Sequence, residues 1–191
     1  GVEPPPAAAR RPHARPYLLF LSRVAKKKGL DLLVQAFAAL PHDLDLVIVG
    51  PDEQGHGAEI AALVATLGLS SRVVLAGAAR GVAKSDWFAH AEAFVLPSAD
   101  ENFGVVVIEA AHLGAPIVVS DQVGLAPAVV AHDAGVVCTR DVPALVAAIT
   151  SVLADRERYR RGTAALAAAF GWDRLVRQLE ALYVDVVRRV P

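Results

Sequence analysis

Several things are scarce or missing in this 191-residue chain, and each absence removes a class of function. There is a single cysteine, Cys138, so no internal disulfide can form. It lies in the apolar stretch AGVVC and reads as a small core hydrophobe rather than a nucleophile. No run approaches the roughly eighteen consecutive apolar residues of a membrane span. The formal net charge is only −1, which gives no pull toward nucleic acid or an anionic membrane. Ser98 and Ser120 lack the G-x-S-x-G setting of a hydrolase nucleophile. His56, His90, His112 and His132 have no metal-ligand spacing and read as surface or cap residues. No G-x-G-x-x-G follows the first strand, which argues against a classical dinucleotide-binding site.

What is present is apolar. Hydrophobic residues make up 54% of the chain and charged residues 20%, enough for a substantial core. The opening GVEPPPAAARRPHARP is rich in Pro, Ala and Arg and has no apolar signal-peptide core. Residues 1–16 are expected to be a linker or cloning remnant, and 17–191 one ligand-binding domain excised from a longer, cytoplasmic protein.

From Tyr17 on, short apolar runs alternate with longer amphipathic ones. The pattern predicts strands at 17–22, 45–50, 72–77, 93–98, 115–120 and 134–139. It predicts helices at 28–40, 58–69, 83–91 and 103–114, then three more at 141–153, 156–169 and 172–189. Strand-then-helix repetition means parallel strands joined by crossover helices. Strands that are apolar throughout mean a sheet covered on both faces. The expected fold is therefore α/β: a doubly wound, Rossmann-like parallel sheet of about six strands, flanking helices and a C-terminal helical tail. Such sheets bind ligands beyond the carboxyl ends of their strands.

The chemistry-bearing residues fall in those loops. SRVAKKKG (22–29) puts Arg23 and Lys28 after the first strand and at the start of a helix, a pattern suited to phosphate. Lys26 and Lys27 read as solvated. In the stretch SADENFGVVVIEA (98–110) two glutamates, Glu101 and Glu109, flank the apolar run FGVVVI with no partner cation evident in sequence. Amides of Asn102, Phe103, Gly104 and Val105 are positioned to hold a phosphate or sugar oxygen. Eight positions of helix span about 12 Å. The acid and base of a glycosidase stand about 5–9.5 Å apart. The two acids are therefore expected to hold separate hydroxyl-bearing parts of one long ligand, as in a nucleotide sugar.

In order and spacing, SRVAKKKGLDLLVQAF, LVIVGPDE, VVLAG, AFVLPSADENFGVVVIEAAHLGAPIVVSD and FGWDRLVRQLEALY resemble the C-terminal, donor-binding domain of retaining glycosyltransferases of family four, which have the GT-B fold. The E-x7-E pattern of Glu101 and Glu109 and the R-x4-K-G element of Arg23, Lys28 and Gly29 carry most of the likeness. The resemblance implies transfer of a hexose-type sugar from a nucleotide sugar to a sugar or lipid-linked acceptor, with retained configuration, no metal and no other cofactor. It gives Arg23 and Lys28 the donor diphosphate, Glu101 the sugar hydroxyls, Asn102 to Val105 the sugar and distal phosphate, Glu109 the ribose, and Gly77 to Arg80 the edge of the base.

The family's acceptor domain is absent, so the 191-residue chain is expected to bind donor weakly and to transfer nothing. Ala111 and Gly50-Pro51-Asp52 depart from the family's usual residues. Leu175, Val176, Leu179, Leu182, Tyr183, Val186 and Val187 form an apolar stripe that is expected to fold back, stay exposed or pair with a second copy. The full-length protein is expected to be cytoplasmic, or peripheral at the inner membrane. A sugar-nucleotide isomerase or epimerase half-domain, a phosphorylase half-domain (less similar, since its cofactor-lysine motif is not found) and a non-catalytic nucleotide-sugar-binding module are the competing readings.

Overall fold

The computed structural model describes residues 11–171 together with positions 176, 177, 180–183, 185 and 186. Six parallel strands form one sheet: β1 (Tyr17–Leu21), β2 (Asp45–Val49), β3 (Val73–Gly77), β4 (Ala93–Leu96), β5 (Ile117–Ser120) and β6 (Gly135–Cys138). Their spatial order is β3-β2-β1-β4-β5-β6. Between β1 and β4 the winding reverses direction, which opens a crevice at the carboxyl ends of those two strands.

The helices are α1 (Leu30–Phe37), α2 (His56–Thr66), α3 (Gly81–Ala89), α4 (Val105–His112), α5 (Ala126–Ala131), α6 (Val142–Ala154) and α7 (Arg156–Ala169). One layer joins α1 to α2 and α6, and the other joins α4 to α3 and α7. With both faces covered, every residue of β1, β2, β4 and β5 is buried. The edge strands differ. Leu75 of β3 is exposed, and β6 is half-buried beyond its first residue.

The doubly wound α/β class agrees with the sequence reading, while three local expectations change. Helix α4 begins at Val105 instead of residue 103, because Gly104 takes φ +83°, outside the helical region. Helix α5 went unseen; it has only six residues and carries Pro127 in its first turn, where the missing N–H costs nothing. His56, expected to be a surface or cap residue, is neither: it is buried as the first residue of α2, whose N-cap is Gly55. His90 and His132 do occupy helix C-caps.

Of the expected helix over 172–189, residues 176, 177, 180–183, 185 and 186 are helical, and the rest lie outside the described residues. Val176, Leu182, Tyr183 and Val186 of the apolar stripe are exposed, whereas Leu175, Leu179 and Val187 fall outside the described set. Among the described residues no helix is long and apolar enough to cross a membrane.

Candidate functional site

The strand ends that meet at the crevice are bolted together by short polar contacts. Lys27 O accepts from Ala99 N at 2.7 Å and from Ser98 Oγ at 3.1 Å, tying the loop after β1 to the loop after β4. Ser120 Oγ donates to Ser98 O at 2.5 Å, tying in the end of β5. Arg140 Nε donates to Pro97 O at 3.2 Å, bringing in the segment after β6. Ser98 and Ser120 are fully buried, so their hydroxyls brace the loops and have no access to a substrate. Gly29, with φ +70°, fits against the same loop; a Cβ there would stand 2.2 Å from Pro97 O.

Lys28 ends a single 3-10 turn over Lys26–Lys28, and its side chain is only 5% exposed. Its ammonium reaches Glu101, whose side chain is 22% exposed. Burying a cation this deeply requires a partner, and among the described residues Glu101 is the one its ammonium has. The sequence left the acids without a cation; the fold supplies one. It does so because β1 and β4 are sheet neighbours, pairing Leu18 with Ala93 and Leu19 with Phe94.

Glu101 lies outside α4. Its backbone is pinned to the loop after β5 through Glu101 N to Gln122 O (3.2 Å) and Gly124 N to Glu101 O (2.8 Å). The 12 Å estimate of a continuous helical rise between the two acids therefore does not apply. Gly124 is packed so closely that a Cβ would stand 2.0 Å from Asn102 O. Gly104 is buried among Glu101, Val107 and Val123, and its left-handed backbone turns the chain into α4. Asn102, Phe103 and Val105 are exposed. The amides of Asn102 through Val105 make no hydrogen bond among the described residues, so they remain available to an acceptor. The partial positive charge of the α4 N-terminus adds to theirs. Phe103 packs edge-on against Phe170, with ring centroids 6.1 Å apart.

Glu109 sits on α4 among the buried Val107, Ala110 and Ala111. Lys84 of α3 donates to both of its oxygens, at 2.7 Å and 2.6 Å. No local pattern announced Lys84, because the contact joins two helices 25 residues apart in sequence.

Arg23 is half-exposed and donates to Glu53 Oε1 at 2.6 Å; among the described residues no hydrogen bond or ion pair links it to Lys28 or Glu101. Gly77 ends β3 at φ +71° and accepts from Gly50 N at 2.9 Å, so it borders the loop after β2. The predicted residues thus fall into two ion-paired clusters, Lys28–Glu101 and Lys84–Glu109, with Arg23 and Gly77 at their margin. A depression of about 350 Å³ is lined by Ala25, Lys26, Lys27, Glu53, Gln54, His56 and Glu59. Its acids are already engaged by Arg23, Lys26 and His56, and none of the predicted site residues lines it. Among the described residues no three His, Cys, Asp or Glu side chains gather as metal ligands would. Burial pushes the Cys138 thiol up to about 11, in keeping with a packing role.

The fold is a doubly wound α/β domain whose strand ends carry two cation–carboxylate pairs and the unbonded amides at the mouth of α4. The family description Glycosyl transferases group 1 matches residues 5–165, and the chain belongs to that family. A D-inositol 3-phosphate glycosyltransferase of Xylanimonas cellulosilytica is 32% identical over 182 residues, covering 92% of this chain and 44% of the relative. Sucrose-phosphate synthase from Thermosynechococcus elongatus is 30% identical with a TM-score of 0.79, over 91% of this chain and 46% of that one. The Anabaena protein HepE, solved in complex with UDP-glucose, is 26% identical with a TM-score of 0.71, over 80% of this chain and 43% of that one. The chain thus spans a little under half the length of these relatives, consistent with one half of a GT-B enzyme.

Proposed function

We propose that residues 17–191 are the donor-binding half of a retaining glycosyltransferase, that residues 1–16 are its linker, and that the whole protein moves a hexose-type sugar from a nucleoside diphosphate to an acceptor. One observation carries the reading: a buried ammonium, Lys28, faces Glu101 beside the unbonded amides of Asn102 to Val105. A nucleotide sugar fits that arrangement. Its diphosphate replaces Glu101 as the counter-ion of Lys28, and Glu101 turns to accept from sugar hydroxyls. Arg23 exchanges Glu53 for the same diphosphate, since an exposed pair is worth little and is readily traded.

As the sugar leaves, negative charge grows on the diphosphate, and fixed donors in a water-poor site stabilise charge that develops there. Two cations and the α4 mouth supply those donors without a metal. Glu109 accepts from the ribose, and Gly77 to Arg80 border the base. The relatives support a nucleotide-sugar donor: one is a D-inositol 3-phosphate glycosyltransferase, one a sucrose-phosphate synthase, and one was solved with UDP-glucose. The acceptor and the facing wall belong to the other half of the protein.

The test is transfer of radiolabelled sugar from UDP-, GDP- and ADP-hexoses. The reading expects the whole protein to label a sugar or lipid-extract acceptor, and the 191-residue chain to label none. Robust transfer by the chain alone, or none by the whole protein with any donor, overturns it.

A further inference from the structure

We infer that Lys84 is a positioning residue which sets the Glu109 carboxylate to accept from a vicinal diol, so that the site selects ribose over 2′-deoxyribose. This rests on the assignment of Glu109 to the ribose. Lys84 is the hydrogen-bond partner that the Glu109 carboxylate has among the described residues, and it touches both oxygens, at 2.7 Å and 2.6 Å. The terminal torsion of a glutamate is broad and weakly preferred. Its orientation is therefore set by what it binds.

A carboxylate offers about four lone-pair sites, two on each oxygen. Lys84 occupies one on each oxygen and leaves one on each, which is the number a 2′,3′-diol needs. The pair is partly sheltered, with side chains 30% and 22% exposed, so water competes less than at an open surface. Lys84 also lies one turn into α3, shortly after the Gly77 to Arg80 loop assigned to the base. A shift of that loop on base binding would move the cation that aims the ribose acceptor. The apolar neighbours of Glu109 on α4 offer no substitute donor.

The experiment measures binding of ADP, GDP and UDP to the 191-residue chain by saturation-transfer NMR and calorimetry. It then compares the tightest of the three with its 2′-deoxy counterpart. Wild type, Lys84→Met, Lys84→Gln and Glu109→Gln are used, each checked for a wild-type fold by circular dichroism.

Hydrogen bonds to charged groups predict a ribose preference of roughly tenfold in wild type. Lys84→Met is expected to weaken ribonucleotide binding by roughly tenfold or more, because both hydroxyls lose an aimed acceptor, to weaken the deoxynucleotide less, because only its 3′-hydroxyl does, and so to shrink the preference. Lys84→Gln, which keeps N–H donors but loses the charge and some of the reach, is expected to fall between. Adding Glu109→Gln to Lys84→Met is expected to cost nothing more, because the two act as one unit.

Glu109→Gln weakening binding while both Lys84 variants bind as wild type overturns the inference and leaves the donor reading standing. So does a Lys84 variant that loses ribo- and deoxynucleotide equally, since that marks a purely structural cation. Failure of wild type to bind any of the three nucleotides overturns both.

Discussion

Removing the two members of the Lys28–Glu101 pair singly is expected to have unequal costs, and the inequality follows from their exposure. Glu101→Ala leaves an ammonium whose side chain is only 5% exposed and whose partner is gone. Stranding a buried charge in this way costs about 3 kcal/mol. Lys28→Met keeps the side-chain volume and removes the buried charge. It leaves a carboxylate that is 22% exposed and able to turn to water. That change is expected to cost about 1 kcal/mol or less. For a domain of this size 1 kcal/mol moves Tm by roughly 2–4 °C, so Glu101→Ala should lower it by about 6–12 °C and Lys28→Met by a few degrees. Urea titration followed by circular dichroism separates the two. Inorganic pyrophosphate should restore part of the loss in Glu101→Ala, because it returns a counter-ion to Lys28. Equal costs, or a larger cost for Lys28→Met, would refute the reasoning, as would indifference of Glu101→Ala to pyrophosphate.

Two glycines with the same backbone sign should respond differently. Gly29→Ala meets both a left-handed φ of +70° and Pro97 O at 2.2 Å, and is expected to cost about 3 kcal/mol or more in urea titrations. Gly68→Ala meets only its φ of +68° in open space and should cost about 1 kcal/mol. Cys138, with burial lifting its thiol to about 11, should react with iodoacetamide at pH 8 roughly 200-fold more slowly than a free thiol. Its rate should climb about tenfold per pH unit until that value is reached, and a rate equal to glutathione's would contradict the burial. The carboxylate of Asp141 caps α6 through Ala144 N at 2.8 Å and is held below the usual range first by the Thr139 hydroxyl and then by that amide. Its folded-state value is depressed, so Asp141→Asn should destabilise at neutral pH, with the difference fading as acid protonates the wild-type cap.

The fold was readable from Tyr17 onward because all-apolar strands and period-3.6 helices are local signals. So was the end of the sheet at which the candidate residues lie, since they follow the carboxyl ends of the predicted strands. The pairing within the site was not readable. Lys28 and Glu101 stand 73 positions apart, and only the adjacency of β1 and β4 joins them. Lys84 lies in an unremarkable helical stretch, and its value comes from facing α4 in space. The start of α4 was misplaced because Phe103 extends the apolar run Val105 to Ile108 back across Gly104, while the left-handed turn at Gly104 is a backbone property. Ser98 and Ser120 could be excluded as nucleophiles from their setting, but their role as bolts between loops appears only in three dimensions.

Amide chemical-shift mapping of the labelled chain during titration with a nucleotide sugar tests the central claim most directly. The account predicts saturable shifts at Asn102 to Val105, at Lys28 and Glu109, and at Gly77, with the far ends of the strands quiet. Saturable shifts confined to the depression between Lys27 and Glu59, or no saturable shifts with UDP-, GDP- or ADP-sugars, would contradict it.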